Sequence, residues 1–223
     1  MDAWVTPTIV ALWTLFLATH TGFSSQRLRP KLVARLGAQG FLGVYSAIAL
    51  AIFIPLVWIY STHKHAGAEL WYGGAFAWIH PPVYLVMALA FTLLIGSFSN
   101  ASPASLAPGT GEVRGVLRIT RHPLFMGIAF FGLLHLFVAR IHGADLAFFG
   151  GMPIVALIGC WHQDQRHLAG GQEAFRSFYE ETSLLPFARG GWRAFIEAPL
   201  ALAAGGIAVL LIRIFHPALF GGA

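Results

Sequence analysis

Six long apolar runs, separated by polar stretches, dominate the hydropathy pattern of this chain. They fall at roughly 4–24, 40–61, 76–98, 123–140, 145–162 and 198–216. Each approaches the ~20 residues that an α-helix needs to cross a hydrocarbon core, and the fourth and fifth are the shortest. The pattern predicts an all-α fold: a polytopic integral membrane helical bundle of about six transmembrane helices, forming a single domain over residues 1–223. The first run has no basic segment ahead of it and reaches spanning length, so it reads as a retained helix and not a cleaved leader. The stretch 100–111, with Pro103, Pro108, Gly109 and Gly111, has turn chemistry. The largest polar piece is 163–197, where Phe175, Phe178 and Tyr179 recur at helical spacing. An amphipathic helix on the cytoplasmic interface is expected there, stopped by Pro186.

Charge adds an orientation. Only 10% of the residues are charged, against about a quarter in soluble domains, so the main solvent of this surface is a lipid bilayer. Of the 14 Lys and Arg residues, 11 fall in three alternate connections: Arg27, Arg29, Lys31 and Arg35; Arg114, Arg118 and Arg121; Arg166, Arg176, Arg189 and Arg193. Lys64, Arg140 and Arg213 are the remainder. The positive-inside rule then places these three loops in the cytoplasm and both termini outside. The net charge of +5 is dispersed over short loops, so no nucleic acid partner is expected. Cys160 is the only cysteine, which excludes an intramolecular disulfide and Cys-rich zinc or iron–sulfur sites.

Candidate chemistry rests on histidines. His20 and His135 lie inside apolar runs, and an ionisable group there must find a partner. Neutral imidazole is also the commonest metal ligand. The face of His135 carries Gly127, Ile128, Phe131 and Gly132. Two glycines beside a histidine and aromatic rings suggest a groove for a flat ligand such as haem, with His135 and His20 as axial ligands. Helix packing on the glycines and ordinary hydrogen bonds for the histidines are the alternatives. His80 is the substitute ligand. Taking Arg27 and Arg121 as inner edges, ~1.5 Å per residue puts His20 ~9 Å and His135 ~20 Å deep. Helix tilt has to close that gap. His122 is ~20 Å from His135 along one helix and cannot share its metal. Arg121, His122 and Asp164 suggest a polar pocket at the cytoplasmic surface. No phosphate-cradling glycine loop, zinc-protease motif or nucleophile elbow occurs. No carboxylate is firmly placed within a predicted span, which argues against proton pumping.

Three pieces of sequence together resemble the NnrU family. They are Thr-His-Thr-Gly-Phe-Ser-Ser at 19–25, Arg118-Ile-Thr-Arg-His-Pro-Leu-Phe-Met-Gly127 with His135 beyond it, and Glu181-Thr-Ser-Leu-Leu-Pro-Phe187. That family includes bacterial proteins linked to denitrification and plant carotenoid cis–trans isomerases. The resemblance implies haem b, held by His20 and His135, in the bacterial cytoplasmic (inner) membrane. It also implies an isomerase acting on a lipophilic polyene, or a non-enzymatic haem protein. Plant members have a cysteine three residues before the second ligand; this chain has Gly132 there. The Arg-His-Pro segment is similar, too, to that of membrane methyltransferases acting on isoprenylcysteine or phospholipids. In those enzymes it helps bind S-adenosylmethionine, aided by a Glu-Glu pair that is Asp164-Gln165 here. A cofactor-free structural protein is the remaining reading.

Overall fold

The computed structural model describes residues 2–104, 111–171 and 173–220; Pro108 and Gly109 of the predicted turn lie outside them. Each apolar run becomes a helix: α1 (Val5–Phe23), α2 (Arg29–Thr62), α3 (His80–Ser99), α4 (Pro123–Val138), α5 (Gly143–Ala169) and, after the short α6 (Glu173–Glu181) and α7 (Ala194–Glu197), α8 (Pro199–Phe220). Among the described residues, four helices are long and apolar enough to cross a membrane: α2, α3 with the turn before it, α5 and α8. Helix α1 has 19 residues and several threonines. Thr14, Thr19 and Thr21 donate back to the carbonyls of Val10, Leu15 and Leu17 at 2.8–2.9 Å, so their hydroxyls are satisfied within the helix. Helix α4 has only 16 residues, or ~24 Å of rise, and the buried turn Gly115–Arg118 lies ahead of it. The surface is that of an all-α membrane bundle: Leu85, Phe98 and Leu200 are 74%, 82% and 85% exposed.

Proline and glycine set the ends. Pro30, Pro81 and Pro123 stand in the first turns of α2, α3 and α4, where a missing N–H is harmless. Gly37, at φ 73°, separates the basic first piece of α2 from its apolar span. That conformation is open to glycine at little cost. It explains why the helix begins well before the apolar run.

Neighbouring helices follow the order α2, α1, α5, α4, α3, α8. Helices α1 and α4 therefore both flank α5. Helix α1 runs parallel to α5, since Trp13 Nε1 donates to the Phe148 carbonyl at 3.2 Å and Ser24 Oγ lies 3.4 Å from His162 Nδ1. The three basic connections come together at one end of the bundle. There Arg118 donates to Glu197 at 2.7 Å, and the Gly115 N–H reaches the same carboxylate at 2.9 Å. The bond from Arg118 holds the Glu197 carboxyl below its usual range. Such a partly exposed pair contributes at most ~1 kcal/mol. It is present at neutral pH and lost as pH falls through the depressed value.

The opposite end carries a feature the hydropathy pattern does not predict. Two strands, β1 (Glu69–Tyr72) and β2 (Arg140–His142), pair antiparallel, with Tyr72 opposite Arg140 and Glu69 opposite His142. Arg140 bridges to Glu69 at 2.9 Å and lies over the Tyr72 ring at 4.6 Å. We call this the sheet end and the other the basic end.

Candidate functional site

Helix α5 extends beyond the predicted limit at 162 and carries two carboxylates, Asp145 in its first turn and Asp164 near its last, one at each end of the bundle. Both are buried, at 0% and 2% exposure, and both have partners.

Asp164 is the centre of a closed cluster at the basic end. His122 stands just before α4, and Arg121 precedes it. Arg121 donates through Nε and Nη2 to one Asp164 oxygen at 2.8 and 2.6 Å, and His122 Nε2 bonds the other at 2.8 Å. Arg121 also reaches the Thr182 carbonyl at 3.3 Å, and Tyr179 of α6 lies over its guanidinium at 4.2 Å. The segment after α6 straps this cluster down. Arg121 N–H donates to Ser183, Thr120 Oγ1 to Leu184, and Phe187 N–H to Ile119, at 2.7–2.9 Å. Arg121, His122 and Asp164 thus come together, but at 6%, 3% and 2% exposure they are closed on one another. The arrangement is a staple between α4, α5 and the strap, not an open pocket for a methyl donor. Of two open depressions at this end, one is lined by Arg118, Glu181, Arg189 and Arg193 and the other by Arg29, Arg166 and His167; neither is lined by the cluster.

The two span histidines share one local design. His20 Nδ1 bonds the Phe16 carbonyl at 2.8 Å, and His135 Nδ1 bonds the Phe131 carbonyl at 2.7 Å. A donor at Nδ1 leaves Nε2 as the basic nitrogen. The His20 ring stacks on Phe16 at 3.8 Å with Tyr45 edge-on at 4.9 Å. The His135 ring stacks on Phe149 at 4.4 Å and touches Phe131 at 4.3 Å.

Each imidazole suits a haem iron by its donor chemistry; the pair does not. Trp13 meets Phe148 and Ser24, one turn past His20, meets His162, which sets His20 between the levels of Val155 and Ile158. His135 stacks on Phe149. Roughly six to nine residues of α5 separate these levels, or ~9–13 Å of rise. Two ligands on one iron need nitrogens about 4 Å apart, twice a metal–imidazole bond of ~2 Å. The expected tilt does not close the gap. His80 is at the start of α3, alongside Tyr84.

The expected groove beside His135 is filled. A Cβ on Gly132 would come within 2.5 Å of the Phe149 carbonyl, and one on Gly127 within 2.8 Å of the Ala90 carbonyl. These glycines let α5 and α3 pack closely on α4, as small residues do between membrane helices. Gly132→Leu should therefore destabilise the bundle by about 1–3 kcal/mol, as overpacking does. The check is the thermal unfolding midpoint in detergent; an unchanged midpoint would mean that the groove is open after all.

The fold and its histidines define a polytopic all-α membrane protein with imidazoles set in an aromatic interior. Across residues 8–223 the chain matches the family described as NnrU protein, and it belongs to that family. It is 26% identical over 185 residues to 15-cis-zeta-carotene isomerase, chloroplastic, of Arabidopsis thaliana, covering 81% of this chain and 49% of that one. The Zea mays protein of the same name is 25% identical over 186 residues, with the same coverage. The chain thus spans about half the length of these curated relatives. No solved structure matches it.

Proposed function

We propose that this chain is a membrane isomerase that converts a cis double bond of a long polyene, of the carotenoid class, to trans. The observation carrying this reading is the match, over 81% of the chain, to two proteins named as isomerases of 15-cis-zeta-carotene. Local chemistry supports it. Phe91, Phe131 and Phe149 form an aromatic wall around His135. A polyene without hydrogen-bonding groups is held by such rings and reaches them through the bilayer in which it dissolves. His135 Nε2 is the imidazole atom left to face that substrate, its partner Nδ1 being fixed on the Phe131 carbonyl. Isomerisation adds no atoms and moves no net electrons, so the residues need only bind the chain and weaken one double bond. Because His20 and His135 do not fit one iron as folded, no step is routed through haem b.

Protein purified from membranes and placed in liposomes with 15-cis-zeta-carotene should raise the trans fraction in the dark, followed by chromatography. His135→Ala should slow conversion at least ~100-fold, the lower end of what a positioned catalytic group contributes. Conversion no faster than in protein-free liposomes would remove the proposal.

A further inference from the structure

We propose that the sheet end carries a divalent transition-metal site built by His65, His142 and Asp145. The three residues come from different segments: the turn after α2, the end of β2 and the first turn of α5. One ligand atom from each lies within 4.8 Å of the others. His65 Nδ1 is 3.0 Å and His142 Nδ1 3.4 Å from the same oxygen of Asp145. A tetrahedral centre with bonds of about 2.0–2.2 Å keeps its ligand atoms ~3.3–3.6 Å apart, so both distances approach that spacing before any ion draws the groups together.

The second observation is independent of the spacing. His142 Nδ1 is buried and makes no hydrogen bond of good geometry; the Asp145 backbone N–H is turned towards the His142 side chain in a capping box. The ring is thereby held with this nitrogen facing the carboxylate, at a distance suited to a shared ion. The carboxylate is also held as a ligand would be. Tyr60 donates to one oxygen at 3.0 Å, and the His142 backbone N–H donates to the other at 2.8 Å. Outer partners of this kind orient metal ligands. Tyr60 is itself fixed by stacking on Phe148 at 3.9 Å.

Two imidazoles and a carboxylate suit zinc and its neighbours, whereas calcium and magnesium favour all-oxygen sets. The His65 side chain is 52% exposed, so a fourth position on that side is open to water. An ion here would tie the turn after α2 to the junction of β2 with α5.

Co2+ is the probe, titrated into tag-free full-length protein in detergent and followed by its visible absorption. Wild type should bind one equivalent, displaced by Zn2+. His65→Ala and His142→Ala should each weaken binding by about 100-fold. Tyr60→Phe should weaken it about 10-fold, as loss of an outer partner does. His63→Ala should leave it unchanged, because His63 bonds the Ile59 carbonyl and Thr62 instead. His65 is exposed enough that its replacement leaves the fold intact, which circular dichroism checks. Absence of saturable Co2+ binding in folded wild type would overturn the site, and so would wild-type affinity in His65→Ala.

Discussion

Replacing Asp164 with alanine should destabilise the protein by about 3–5 kcal/mol, the range for removing one partner from a buried charge pair. Arg121 and His122 would then keep their burial and lose the carboxylate that both bond. Against a usual total of about 5–15 kcal/mol, that loss should lower the unfolding midpoint in detergent sharply. Asp164→Asn keeps an acceptor and should lose less. The triple replacement Arg121→Leu, His122→Phe, Asp164→Leu should be more stable than Asp164→Ala, because apolar groups can substitute for a whole buried cluster when one missing partner cannot be tolerated. An Asp164→Ala protein with a wild-type midpoint would show that the cluster is no staple.

The second large effect separates His20 from His135. Two neutral imidazoles on one iron would give a low-spin spectrum, and losing either would turn it high-spin. With ~9–13 Å of helix rise between their levels, the two histidines should not behave as such a pair. His20→Ala and His135→Ala should differ in their effect on the absorption of the purified protein in the haem region. If both convert a low-spin band to a high-spin one, haem b bridges α1 and α4, and these helices sit differently from the arrangement described above.

Much of the bundle is legible from hydropathy, because a helix in lipid must satisfy its backbone internally over a fixed length. Starts marked by Pro81 and Pro123 follow from the same logic. What escapes is whatever depends on contacts distant in sequence. Strands β1 and β2 have four and three residues, too few to show alternation, and pair across the whole of α3 and α4. Gly127 and Gly132 look the same whether they face a ligand or a helix; only the neighbours decide. The meeting of Arg121, His122 and Asp164 can be anticipated from their places at the ends of adjacent helices, but their closure cannot, since the strap at 182–187 supplies it. His65 and His142 are far apart in the chain, and nothing local announces that a turn at φ 60° brings their rings within 5.3 Å of each other.

The staple also sets an order of assembly. His122 and Arg121 precede Asp164 in the chain by 42 and 43 residues. At about 5–20 residues per second, a ribosome delivers the counter-charge some 2–9 s after Arg121. During that interval α4 has a cationic entrance and no acid to neutralise it. Its basic end can settle only when α5 arrives, and the strap closes over both later still. The basic ends of α4 and α5 therefore become fixed together, once Asp164 meets Arg121 and His122.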